Sequence, residues 1–429
     1  MSARVGGSHE PRRLAAISAG IVLVSLMVVV PAAHAVTSCG ASGVHTICVT
    51  VNGAPLVGES SITVTNSPNS GTMIYTWIPA GRSAITLMTA FAKSPSTNDY
   101  SFIWPTHKYR DGSGVLSVRI GGASTPVEAP VSLSNGNATD FQHSPSDFAS
   151  FLPTTWTGQS DPVIAAVGDG ASNEVRSNAV AASIVSSRPA LFLYLGDIYE
   201  EGTFTENRNH YGRSAMDVAG AGGGTLWGQL AEITHPTVGS HENLNLSAWR
   251  DYFHGYPEKL SFIFGGVLFI NVNSQKSFQP GSAQYTFVQN ALAAAPACVV
   301  GFWHTPALKG GTVNQKRLPM WSLLANNGGD LVVNADAHSM AEYEPLDANL
   351  NPGPNAHMVE LISGAGGRSP GTALADAAGR INWSEGKTQG VVYLTLNGAA
   401  KRGTATSISW SFRTVGGPVV RTGSVSCRT

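Results

Sequence analysis

The chain has 429 residues, of which 12% are charged, with 26 Lys+Arg against 27 Asp+Glu and a formal net charge of −1. That balance carries no polycationic signature for nucleic acid or an anionic membrane surface. The length allows two domains, each with a core of its own.

The first elements in chain order are not part of a fold. Arg4, Arg12 and Arg13 make a basic start, Leu14 to Val30 is uncharged, and Ala33-His34-Ala35 is a small-x-small cleavage site. Residues 1–35 read as a secretory signal cleaved after Ala35. The competing reading is a membrane anchor, since the uncharged run is near the lower limit for a span; the Ala-x-Ala site favours cleavage. Removing three Arg and one Glu leaves a small net negative charge. No later stretch is long and apolar enough to cross a bilayer, so the mature chain is expected to be secreted, with no membrane span. The four cysteines, Cys39, Cys48, Cys298 and Cys427, suit two disulfides in an oxidising compartment. Three pairings are open; Cys39–Cys48 and Cys298–Cys427 are favoured.

Residues 36–134 form the second region. Short runs such as "TICVTV", "SSITVTN", "TMIYTWIP", "GVLSVRIGG" and "PVEAPVSLS" recur between turn signals such as "NSPNSG" and "PAGRS". Seven such strands without helical spacing predict an all-β immunoglobulin/fibronectin-like sandwich. It shows no clustered His, Asp or Glu, so no chemistry is assigned to it. Residues 135–160, polar and rich in Ser and Pro, read as a linker.

Residues 161–429 change pattern. The strand-type runs "PVIAAVGD", "ALFLYLGD", "VLFINVNS", "ACVVGFWH" and "DLVVNADAH" alternate with the helix-type runs "NEVRSNAVAASIVSS", "AQYTFVQNALAAA" and "LPMWSLLANNG". Strands alternating with helices predict an α/β core. "TQGVVYLTLNG" and "SISWSFRTV" read as added strands of its second sheet.

Four of the buried strands end in metal-ligand side chains. They deliver Asp169, Asp197, His304, and the pair Asp336 and His338; a further segment, "HPTVGSHEN", places His241 after a Gly-containing turn. A single Gly-Asp is ordinary turn chemistry. Several strand ends carrying Asp or His together suit a divalent metal such as Zn, Fe or Mn, because ligands gather at the carboxyl ends of strands in α/β sheets and a cation offsets acids set against an apolar core.

In order and spacing these segments resemble the calcineurin-like metallophosphoesterases, in particular their secreted purple acid phosphatase-like branch. The matching positions are Gly168-Asp169, Gly196-Asp197 with Tyr199, Gly239-Ser240-His241-Glu242, Trp303-His304-Thr305-Pro306 and Ala335-Asp336-Ala337-His338. The resemblance runs from about residue 162 to the C-terminus. It implies a four-layer αββα metallophosphoesterase sandwich behind the N-terminal β-sandwich, and a phosphoester substrate hydrolysed at a dinuclear site of divalent or trivalent ions (Fe, Zn or Mn). Asp197 would bridge the ions. Asp169 and His338 would hold one, and His304 with Asp336 the other. His241 would serve the leaving oxygen.

Three positions depart from the family pattern. Ser240 stands where the family has an Asn ligand. Asp336 stands at the first His of Gly-His-x-His in a gap-free alignment, which also brings Pro345 and Asp347 into place; a one-residue gap would make His338 the first His and Met340 the second. Tyr199 follows Asp197 by two residues rather than three. Ser240 and Tyr199 are therefore kept as possible metal ligands only. These departures sustain an alternative: a degenerate, non-catalytic member that uses the fold as a ligand- or partner-binding module. His210, His235, His254 and His357 read as surface or loop residues, and Lys309, Lys316 and Arg317 as solvated loop charge.

Overall fold

The computed structural model describes residues 35–428, apart from 54, 58, 66–71, 82–83, 92–99, 107–108, 110, 124, 135–153, 171–173, 212–225 and 254–255. The expected signal segment, save Ala35, and most of the expected linker lie outside the described residues.

Alternating Val/Ile and Thr/Ser residues build two antiparallel four-stranded sheets at the N-terminal end. One has the order β1 (Val36–Ser42), β2 (His45–Val51), β3 (Glu59–Thr65), β6 (Tyr100–Pro105); the other is β5 (Ile85–Phe91), β4 (Thr72–Pro79), β7 (Gly112–Ile120), β8 (Val127–Leu133). Burial alternates residue by residue along β4, as a period of two requires for a strand with one face inward. Met73, Tyr75 and Trp77 thereby join Ile47, Val49, Ile62 and Trp104 in one core. Cys39 and Cys48 sit directly opposite each other on β1 and β2 and are disulfide-bonded.

The remainder is a mixed α/β body with two large sheets. The six-stranded sheet has β11 (Thr234–Pro236), β10 (Leu191–Tyr194) and β9 (Val163–Val167) in parallel, continued by antiparallel β21 (Gly390–Asn397), β22 (Ser407–Thr414) and β23 (Val419–Ser426). The seven-stranded sheet has the order β12 (Leu260–Phe264), β13 (Val267–Asn271), β14 (Cys298–Phe302), β17 (Leu331–Asn334), β19 (Val359–Ser363), β18 (Met340–Tyr343), β20 (Ile381–Glu385), with β13, β14, β17 and β19 parallel. A small hairpin pairs β15 (Leu308–Lys309) with β16 (Thr312–Val313). The C-terminal strands extend the sheet of β9 and β10, because β21 pairs with β9 through Val392 to Thr395.

Parallel strands covered on both faces read as continuous apolar runs, and alternate residues serve opposite layers. Ile164, Ala166 and Leu193 face Phe269, Val300, Phe302 and Val333 between the two sheets. Ala165, Val167 and Phe192 face the other way, onto Val180, Ala181 and Ile184 of helix α1 (Glu174–Ser187). On the far side, Ile270, Val299 and Val332 meet Val288 of α3 (Ala283–Leu292) and Met320 and Trp321 of α4 (Leu318–Asn326); the shorter α2 (Leu246–Tyr252) packs Trp249 and Tyr252 with the α1 layer. Each buried Val, Leu or Phe of these layers contributes roughly 1.5–3 kcal/mol.

Two links tie the sheets to each other. Cys298, which opens β14, is disulfide-bonded to Cys427, just past β23. Glu342 of β18, 3% exposed, accepts from Trp410 Nε1 (2.8 Å) and from Arg421 Nη2 (2.6 Å) and Nε (2.9 Å). His235, expected on the surface or in a loop, is instead 1% exposed. It lies in β11, stacks on Phe262 and shares a 2.9 Å hydrogen bond with the Tyr256 hydroxyl; burial pushes its pKa down to about 3. Among the described residues no helix is long and apolar enough to cross a membrane.

Candidate metal centre

Three of the strands that feed the site, β9, β10 and β17, are followed by a backbone turn of unusual hand. Among the described residues six non-glycines have positive φ, and four of them are Asp169 (57°), Asp197 (57°), Asp336 (65°) and His338 (49°). The left-handed region costs an L-residue roughly 1–2 kcal/mol. Such strain persists where surrounding structure imposes it, and it concentrates at functional sites. Here the turn brings polar side chains inward directly after a buried strand.

Backbone hydrogen bonds hold these turns against one another. Gly168 N–H donates to Ser363 O (2.9 Å), Gly366 N–H to Gly168 O (3.0 Å), Asp169 N–H to Gly196 O (3.0 Å) and Ala335 N–H to His304 O (2.9 Å). Ser363 Oγ reaches Ala166 O across the sheets at 2.8 Å. Glu242, fully buried, accepts three backbone N–H groups, from Asp197 (2.8 Å), Ile198 (2.6 Å) and Gly239 (2.9 Å). It locks the loop after β10 to the loop after β11. Glycine is needed at 239, where a Cβ would run into the Asp197 backbone and carboxylate and the Glu242 carboxylate.

Asp169, Asp197 and His304 offer ligand atoms that all lie within 4.8 Å of one another, and all three side chains are buried. His304 Nδ1 donates to Leu195 O at 2.8 Å. That bond places a proton on Nδ1, so that the neutral ring would carry its lone pair on Nε2, the arrangement of a ligating imidazole; burial disfavours the charged ring, but Asp197, Asp336 and Asp169 outweigh it and raise the pKa of the metal-free ring well above its ordinary value. Nε2 lies 3.2 Å from Asp197 Oδ2 and 3.5 Å from Asp336 Oδ1, yet among the described residues it has no aligned hydrogen-bond partner, and neither carboxylate oxygen of Asp169 has one. His338 Nε2 is 3.9 Å from Asp169 Oδ1. Three acids and a histidine lone pair converging in an apolar pocket repel unless a cation or proton sits among them. The donor set, carboxylates and imidazoles, fits a divalent ion of the Zn, Fe or Mn kind.

The electrostatics follow. Burial pushes the Asp169 carboxyl well above its ordinary value, and the acids Asp197 and Asp336 add to this against His304. Burial also acts on Asp197, but His304 and the His241 N–H outweigh it and hold that carboxyl at about 2. For Asp336, burial is likewise outweighed, by His304 and Lys309, and its carboxyl falls below the usual range. Burial, with Arg368 and Lys309 nearby, lowers the His338 pKa and so favours the neutral ring.

The remaining sequence-derived candidates lie as follows. Ser240 Oγ donates to Asp197 Oδ2 (3.1 Å), so it braces the carboxylate. His241 N–H donates to Asp197 Oδ1 (3.0 Å), its Nδ1 to Glu200 O (2.5 Å), and its Nε2 lies 3.7 Å from Asp197 Oδ2. Asp336 touches both His304 and Lys309 Nζ, the latter at 3.0 Å. Tyr199 stacks on His210. Met340, the second ligand of the gapped alignment, packs in the apolar core between the sheets. Arg368 escaped sequence reasoning. Its Nη1 meets Glu200 Oε1 (3.1 Å) and His241 Nε2 (3.4 Å), and its N–H donates to Asp169 O (2.9 Å). The available signal was the run Gly366-Gly367-Arg368, which starts three residues beyond the end of the buried strand β19.

No protein-family model matches the chain, and no curated protein matches it. Among solved structures it is similar to a purple acid phosphatase isolated from yellow lupin (Lupinus luteus) seeds, with TM-score 0.48 and 13% sequence identity over 90% of this chain and 80% of that one. It is also similar to PhoD, with TM-score 0.43 and 10% identity over 91% of this chain and 88% of that one.

Proposed function

We propose that the chain is a secreted, metal-dependent hydrolase of phosphate esters. The observation that carries this reading is Asp169: a fully buried carboxylate with both oxygens unpartnered, set against Asp197 and His304. Asp169, Asp197 and His304 would hold a metal ion, with His338 beside Asp169 and Asp336 beside His304 as the further ligands of a dinuclear centre. The ions would supply Lewis acidity toward the phosphoryl oxygens and the attacking water. Asp197, as the shared carboxylate, is oriented by Ser240 Oγ and the His241 N–H. The Glu200 carbonyl fixes His241 at Nδ1 and leaves Nε2 to exchange a proton with the leaving oxygen. Arg368, hydrogen-bonded to that Nε2, is placed to turn its guanidinium to a phosphoryl oxygen, a pairing its planar fork favours.

The same reading takes residues 36–134 as an immunoglobulin/fibronectin-like domain, 135–160 as a linker and 161–429 as a four-layer αββα catalytic domain; the three core clusters of the α/β body support that layering. Export is supported by the basic start, the uncharged run and the Ala33-His34-Ala35 site. One observation favours a second, non-catalytic reading: Lys309 already neutralises Asp336, a position the dinuclear centre needs.

The deciding experiment is elemental analysis of the purified mature protein after supply of Mn, Zn or Fe, with a phosphoester panel run on the same sample. Wild type is expected to bind metal and hydrolyse at least one ester. Asp197→Asn, which keeps the shape and removes the charge, should lose metal and lower hydrolysis by several orders of magnitude. Bound metal without hydrolysis would support the non-catalytic reading, and full activity in Asp197→Asn would end the metal hypothesis.

A further inference from the structure

The sequence makes Lys309 a solvated loop charge, but the fold draws it to the candidate metal centre. Lys309 Nζ donates to Asp336 O (2.8 Å) and to Asp336 Oδ2 (3.0 Å). The other oxygen of that carboxylate, Oδ1, lies 3.5 Å from His304 Nε2. A single carboxylate thus separates an ammonium group from the imidazole of the Asp169–Asp197–His304 group.

The backbone that carries Lys309 is braced, while its side chain is free to turn. The tip of the β15–β16 hairpin is held by Arg380 Nη2, which donates to Gly311 O (3.0 Å), and by the Tyr343 hydroxyl, which donates to Gly310 O (3.3 Å). Just before the hairpin, the buried Glu360 carboxyl accepts from Ala307 N–H (3.1 Å), and Asn314 N–H donates to Ala307 O (2.8 Å). The Lys309 side chain itself is 46% exposed. It borders an open groove of about 810 Å³, lined also by Thr312, Asn314 and Gln315. The ammonium can therefore leave Asp336 by a change of rotamer alone, into space that offers it polar partners. An ion pair this exposed is held weakly, and a divalent ion competes for the same carboxylate with twice the charge.

We infer that Lys309 sets how many ions the centre holds. Docked on Asp336, its charge takes the part of the second ion's charge; the second ion binds as Lys309 swings into the groove. The inference rests on the hydrolase reading for the metal centre, not for the reaction. Three carboxylates face the site, those of Asp169, Asp197 and Asp336. Glu242 spends its oxygens on backbone N–H groups, and Arg368 is paired with Glu200. With Lys309 docked, one of the three negative charges is already offset, and the other two match one divalent ion. A further divalent ion then meets no surplus negative charge and a like charge one carboxylate away. With Lys309 turned out, Asp336 is open to it. The exchange breaks no covalent bond and moves no proton: the ammonium keeps its charge and trades the Asp336 oxygens for groove partners and water. Lys309 is thus a specificity residue for metal loading, which lets one ion bind tightly and makes the other exchangeable.

The test reads ion binding apart from turnover. Metal-stripped full-length mature protein is titrated calorimetrically with Mn, for wild type, Lys309→Met, Lys309→Gln and Lys309→Arg, and bound Mn is counted by elemental analysis. Wild type should bind a first ion tightly and a second weakly. Lys309→Met and Lys309→Gln should bind the second ion more tightly than wild type by about tenfold, with a much smaller change in the first. Lys309→Arg keeps the charge and should keep the second ion weak. Displacement is read on the wild type itself, by peptide mass after limiting acetic anhydride. Lys309 should be labelled little in the metal-free protein or with a single Zn bound, and several-fold more once a second Zn binds. Unchanged ion number and second-ion affinity in both charge-free variants, or labelling of Lys309 that ignores the second ion, would overturn the assignment and leave the hydrolase reading intact. Metal loading that follows Lys309 in a protein that hydrolyses no phosphoester would keep the assignment and remove the hydrolase reading. Wild type and variants that all bind neither Mn nor Zn would end both.

Discussion

Asp169 concentrates the conflict between stability and chemistry in a single side chain. Its carboxylate is fully buried, unpartnered and faced by two further acids, and an unsatisfied buried polar group alone costs about 1–3 kcal/mol, more when charged. Asp169→Asn removes the charge and keeps the shape. The metal-free variant is therefore expected to melt at or above the metal-free wild type at pH 7. The wild type should gain about 2.7 kcal/mol when metal reaches a hundred times its Kd, and the variant should gain almost nothing. Thermal melts with and without Mn or Zn measure both. A wild type whose melting temperature ignores chelator and metal alike would show that Asp169 holds no ion. The positive φ at Asp169, Asp197, Asp336 and His338 tells the same story, since a turn residue of no further use would be replaced by glycine without strain.

At the scale of strands and loops, the sequence was readable where a buried run ends abruptly. "VIAAVGD", "LFLYLGD", "CVVGFWH" and "DLVVNADAH" announce both a doubly covered strand and the side chain at its end, because period and burial are local properties. What joins different loops was not readable. The Glu242 carboxylate clamping Asp197 to Gly239, Arg368 reaching His241 and Glu200, and Lys309 capping Asp336 all depend on which strands lie side by side. Glu360, inside β19, belongs to this hidden class. It is fully buried, one oxygen accepts from Ala307 N–H at 3.1 Å, the other has no partner, and burial lifts its pKa from 4.5 to about 8. The folded state thus favours the protonated acid. Its contribution to stability is complete below about pH 4.5 and is lost as the pH rises toward 8. Glu360→Gln should flatten the decline in melting temperature between pH 5 and 8. A variant that follows the wild-type curve throughout would mean that Glu360 is ionised in the fold.

Across the whole molecule, the two large sheets are joined by an apolar layer, by the Glu342–Arg421 pair and by the Cys298–Cys427 bridge. The bridge spans a sequence separation of 129 residues, and closing a loop of that size restricts the unfolded chain by about 5 kcal/mol at most. Cys298→Ala with Cys427→Ala is expected to lower unfolding free energy by about 2–5 kcal/mol in denaturant titration. An unchanged midpoint would mean that the thiols are reduced in the native protein.

The site draws Asp169 and Asp197 from one sheet and His304, Asp336 and His338 from the other. In mechanical terms the body is a clasp. Its pivot is covalent, at Cys298 where β14 begins; its jaws are charged, at His304 just past the end of the same strand, about 20 Å away at 3.3 Å per residue. An ion between the jaws would close the clasp, and metal affinity would then include the work of keeping the sheets in register. Loosening the pivot should weaken the grip at the other end: the double cysteine variant should hold its metal less tightly than wild type, although neither cysteine lies among the ligands.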